Sequence, residues 1–132
     1  MPVGTVTRAR RAGTVAGWAA ANLALGYLAT APLVTAVVLS YYIRARVWGT
    51  VAAPYHGAEA EASVAVIVVL GTGLAAATVA ANRALRRQPG VATWPAAGFW
   101  LATIAVQLIP FAWFMLATDR TIPALLGRGL LW

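Results

Sequence analysis

The sequence predicts an all-α membrane protein with three transmembrane helices, over about 13–43, 62–84 and 95–118, and a short interfacial C-terminal tail. Three observations lead there. Hydrophobic residues fill 61% of the 132 positions and charged residues only 10%, where a soluble domain carries about 25% charge. The apolar residues gather in three long runs. The charges fall in small groups between those runs, and every cation is arginine. A surface this poor in charge suits hydrocarbon better than water. The length fits a single integral membrane domain over residues 1–132.

The first apolar run follows Arg8, Arg10 and Arg11 and holds no charge from Ala12 to Ile43. As a helix it would be about 48 Å long, against a hydrocarbon core of roughly 30 Å, so it must tilt or project. Pro32 lies inside it and predicts a kink. The stretch Ala29-Thr30-Ala31 has the form of a signal-peptidase site, but the run continues to Ile43, which favours a retained anchor. Arg44 and Arg46 close the span. The connection Val47–Glu61 contains Pro54 and Gly57, both turn formers.

The second run opens with Val, Ile and Leu and continues through Gly71, Gly73 and many alanines. Arg83, Arg86 and Arg87 end it, followed by the stop signal Gln88-Pro89-Gly90. The third starts at Trp94. Pro95 suits its first turn, where a missing donor costs nothing, and Pro110 predicts a second kink. After Asp119 and Arg120 too few residues remain for another crossing, and Leu125, Leu126, Leu130, Leu131 and Trp132 fit a surface-lying tail.

Arginine counts set the expected orientation. Arg8, Arg10, Arg11, Arg83, Arg86 and Arg87 flank one side, and Arg44, Arg46, Arg120 and Arg128 the other. The N terminus is therefore expected in the cytoplasm and the C terminus outside, in a cell membrane. Trp18, Trp94 and Trp100 fall near the inner boundary, and Tyr41, Tyr42, Trp48 and Trp113 near the outer, as aromatic belts would.

The formal charge of +7 suits anionic headgroups, because the arginines flank apolar runs. A nucleic-acid partner is not expected, since that needs basic residues on one folded face among polar or stacking groups. With no cysteine, disulfides and thiolate ligands are excluded. No cofactor and no metal site is expected.

No Asp, Glu, Lys, Arg or His lies near the centre of a run. Ion-coupled transport and proton relays need ionisable groups at depth, so this absence argues against both. The only histidine, His56, sits beside Glu59 and Glu61 in the outer connection. Such a set serves more often as a solvated cap than as a catalytic or metal site. The milder polar groups at depth are Asn22, Thr30, Thr72, Thr103 and Gln107. They read as helix-packing hydrogen bonds or, alternatively, as the lining of a path. Thr103, Gln107 and Pro110 share a helix face by spacing. Gln107 carries an amide that lipid cannot satisfy, so it should point at another helix. Gly13-xxx-Gly17 and Gly73-xxx-Ala77 are small-xxx-small patterns that permit close helix approach.

Three functions remain. The first is a non-catalytic accessory, assembly or partner-binding subunit of a membrane complex, with a homo-oligomer or a partner membrane protein expected in the lipid bilayer. The second is an oligomeric transporter or channel for an uncharged or lipophilic solute. The third is a membrane enzyme using His56, Glu59 and Glu61.

Overall fold

The computed structural model describes residues 3–49 and 57–118, with side-chain surroundings from Arg8 and from Ala60 onward. Three helices account for nearly all of this: α1, Val3–Trp48; α2, Gly57–Leu85; and α3, Ala96–Ala117. Among the described residues there is no strand.

α1 outruns the expected 13–43 at both ends. Nothing in its flanks breaks a helix, since arginine and alanine are among the better helix formers. It stops at the first glycine past Arg46. Gly49 takes a left-handed φ of 63° and its N–H bonds the Ala45 carbonyl at 3.1 Å, the single-bond glycine cap. With 46 residues, α1 is about 69 Å long, more than twice the hydrocarbon core. It runs through Pro32 without a break, as α3 does through Pro110.

α2 starts five residues earlier than its expected boundary at 62. The segment Gly57-Ala-Glu-Ala-Glu-Ala alternates two strong helix formers, and acids near a helix N terminus suit its dipole. Glu59 and Glu61 therefore belong to a helix and not to a connection. α3 has Pro95 as its N-cap, with φ −60° and ψ 143°, one position ahead of the first turn where it was expected. The expected tail 119–132 lies outside the described residues.

α1 is the hub: its backbone packs along both α2 and α3, which meet each other through side chains. Packing is tightest at the end that carries the α2–α3 connection, residues 86–95. There Trp18, Val91 and Phe99 form a buried core, rimmed by Leu85, Trp94 and Trp100. Phe99 stands edge-on to Trp100 at 5.5 Å, and Trp18 meets Trp94 edge-on at 5.3 Å. Trp18 is thus a core residue, not part of an interfacial belt as its sequence position suggested. Gly90 presses the connection onto α1, where an added Cβ would fall 2.8 Å from the Arg11 carbonyl oxygen.

Two grooves open toward the other end. One, of about 690 Å³, lies between α1 and α3 beside Tyr27, Val34, Pro110 and Trp113. The other, of about 390 Å³, lies between α1 and α2 beside Pro32, Leu33, Leu74, Thr78 and Gln107. Outward faces are strongly apolar, with Tyr27, Trp113 and Leu116 nearly three-quarters exposed. Water would not tolerate so much large apolar surface, and lipid does.

Candidate functional site

Six polar side chains meet where the three helices converge, and each helix supplies two at i, i+4 spacing: Trp18 and Asn22 from α1, Thr78 and Asn82 from α2, Thr103 and Gln107 from α3. That spacing puts each pair on one helix face, so a single orientation of each helix turns both members inward. Asn22, Asn82 and Thr103 are completely buried.

The two asparagines bond each other twice. Asn22 Nδ2 donates to Asn82 Oδ1 at 3.0 Å, and Asn82 Nδ2 donates to Asn22 Oδ1 at 2.8 Å. Asn82 Oδ1 also accepts from Trp18 Nε1 at 3.1 Å and from the Thr103 hydroxyl at 3.4 Å. Gln107 Nε2 donates to Asn22 Oδ1 at 2.9 Å and to Thr78 Oγ1 at 3.1 Å. The remaining amide hydrogens return to backbone: Asn22 to the Trp18 carbonyl at 2.9 Å, Asn82 to the Thr78 carbonyl at 3.0 Å. Among the described residues no buried side-chain nitrogen or oxygen lacks a partner.

The chemistry of this cluster follows from its groups. Amides, hydroxyls and an indole carry no charge to move near neutral pH. Their donors are spent on one another, so the cluster works as a clamp that fixes rotation and depth of each helix. An interhelical bond of this kind contributes about 0.6 kcal/mol on average and up to about 1.7 in membranes.

Of the residues singled out by sequence, the clamp takes Asn22, Thr103 and Gln107. Thr30 and Thr72 stand apart, although they were placed at similar depth to Gln107. The Thr30 hydroxyl bonds the Gly26 carbonyl at 3.1 Å, and Thr72, on an exposed face, bonds the Val68 carbonyl at 2.5 Å. Both hydroxyls are satisfied within their own helix, which threonine can do and asparagine cannot do as fully.

Asn82 is the residue that sequence reading missed. In the sequence it stands beside Arg83 at the end of the second run. Asparagine is a poor helix former, and Thr78-xxx-Asn82 repeats the i, i+4 polar spacing of Thr103-xxx-Gln107; together these were the available signal.

The close helix approach also lies elsewhere than the small-residue patterns indicated. Gly13, Gly17, Gly71 and Gly73 face open space. The tight point is Gly26, where an added Cβ would sit 2.7 Å from the Cα of Gln107 and closer still to its carbonyl oxygen. Gly26 therefore lets α3 approach near enough for Gln107 to reach Asn22.

At the open end, Glu61 is exposed, while His56 and the Glu59 side chain lie outside the described surroundings. No three His, Asp or Glu side chains gather among the described residues.

All three helices are long and apolar enough to cross a membrane. The class is that of a multi-pass α-helical membrane protein, cinched near one end by an uncharged polar clamp. No protein-family model matches the chain, and neither the curated proteins nor the solved structures yield a match.

Proposed function

We propose that this protein is a non-catalytic accessory, assembly or partner-binding subunit of a membrane complex, and that its open-end grooves receive helices of another membrane protein. The observation that carries the proposal is the contrast between the two ends. Polar groups are consumed internally at the clamp, while beyond it the helices separate and leave the two grooves.

Each groove holds a proline. The missing N–H of Pro32 takes the usual helical donor from the Leu28 carbonyl, and that of Pro110 from the Val106 carbonyl. Gln107 lines the α1–α2 groove, and its carbonyl oxygen receives no hydrogen bond from a described side chain. Acceptors at this depth call for donors that lipid tails lack. A partner helix with Ser, Thr or small residues would supply them.

The oligomeric transporter reading needed Asn22, Thr30 and Gln107 turned toward a shared axis. The internal bonding of Asn22 and the Gln107 amide favours the accessory reading over it. An enzymatic role, a cofactor and a nucleic-acid partner form no part of the proposal. We place the N terminus in the cytoplasm and the C terminus outside a cell membrane, on the arginine asymmetry.

Photo-crosslinking in native membranes tests this. A photoreactive residue at Tyr27 or Leu33, in the grooves, should give one discrete adduct with a second membrane protein. The same probe at Val69 or Leu101, both 67% exposed and outside the grooves, should give lipid adducts only. Adducts solely with a second copy would sink the accessory proposal and favour the transporter reading.

A further inference from the structure

We propose that the connection end of the bundle is a binding site for an anionic phospholipid headgroup, held between arginines of α1 and of the α2 terminus. In sequence Arg11 and Arg86 are 75 positions apart (86 minus 11). The fold brings their segments together, because Gly90 rests on the backbone of Arg11 and on the Thr14 side chain. Arg10, Arg11 and Arg87 are exposed beside that contact, and Arg86 is half-buried.

Two observations turn this cluster into a site. First, among the described residues no carboxylate lies near it. The chain's three acids are Glu59, Glu61 and Asp119. Glu59 and Glu61 lie at the start of α2, about 36 and 33 Å along that helix from Arg83, and Asp119 lies outside the described residues. Among the described residues no acid balances the charge at this end.

Second, Arg86 is already positioned. Its guanidinium lies over the Phe99 ring, 5.9 Å from the centroid. A guanidinium held near a ring in this way can still offer N–H groups as a planar fork to phosphate oxygens. Trp94 and Trp100 pack against Phe99, and the preference of tryptophan for the membrane boundary supports a headgroup at this level. Two arginine arms meeting at one level should engage a lipid with two phosphates more strongly than one with a single phosphate. The proposal is independent of any protein partner in the grooves.

The test uses the full chain in neutral detergent, with native mass spectrometry reading lipid retention. Phosphatidylcholine, phosphatidylglycerol and diphosphatidylglycerol are each added at equal concentration. Retention of diphosphatidylglycerol should exceed that of phosphatidylcholine at least tenfold, with phosphatidylglycerol between. R10Q/R87Q, both at exposed positions, should cut retention several-fold, and R86Q should do so separately. A control pair at the other end, R44Q/R46Q, should leave it unchanged. Melting in detergent without lipid shows whether R86Q folds; if it does not, R10Q/R87Q still decides. Equal retention of all three lipids, or equal loss in the control pair, overturns the proposal. So does displacement of the lipid by millimolar inorganic phosphate or by RNA, which would make the site one for soluble polyanions.

Discussion

Replacing Asn82 with leucine keeps the side chain's approximate volume and removes its hydrogen-bonding groups. Four bonds to other helices disappear: two with Asn22, one each from Trp18 and Thr103. At about 0.6 kcal/mol each they amount to roughly 2–3 kcal/mol. The consequences for the partners are unequal. Asn22 keeps Gln107 and the Trp18 carbonyl, and Thr103 can turn back to its own helix. Trp18 Nε1 has no second acceptor, and a stranded buried donor costs about 1–3 kcal/mol. The expected loss is therefore about 3–6 kcal/mol. Reversible unfolding in mixed micelles, followed by circular dichroism and tryptophan emission, measures it. The asparagines act as a pair, so N22L/N82L should lose at least about 1 kcal/mol less than the two single losses combined. A loss below about 0.5 kcal/mol, or strict additivity, would show that the bonds do not hold the bundle and would refute the clamp.

Gly26→Ala should destabilise by about 1–3 kcal/mol in the same titration, since its Cβ enters the Gln107 backbone. Gly17→Ala, in open space, should be neutral or stabilising by up to about 1 kcal/mol. Thr103→Val should cost about 1 kcal/mol and Thr72→Val less than about 0.5, although both were equally plausible packing residues from sequence; equal effects would contradict their different placement. Phe99→Ala opens a cavity between Trp18 and Trp100, so we expect a loss of about 2 kcal/mol or more and a changed emission spectrum.

The sequence made the three helices legible because hydrophobic runs of spanning length have few alternative readings. Boundaries shifted where a span end is not a helix end. Arginines and the Ala-Glu segment leave hydrocarbon but still favour helix, so α1 and α2 continue past the expected limits. Gln107 was correctly marked as needing another helix, because its amide has no local acceptor in lipid. The identity of that partner was not legible. Asn82 near a charged span end, and Trp18 near an expected aromatic belt, each had an ordinary alternative explanation. The small-residue patterns did not mark the crossing within the chain for a related reason: in an alanine-rich chain they occur everywhere, and only the three-dimensional crossing singles out Gly26.

The clamp also imposes an order on membrane insertion. Helices enter the bilayer from the N terminus, so α1 arrives with Asn22 before either partner helix exists. Asn82 lies 60 residues later and Gln107 85 residues later. During that interval the Asn22 amide has one protein acceptor on its own helix, the Trp18 carbonyl, and its oxygen waits for donors. α1 is thus a provisional anchor until its partners have crossed, and truncation after α2 would leave a two-helix intermediate with three of the clamp's six interhelical bonds formed.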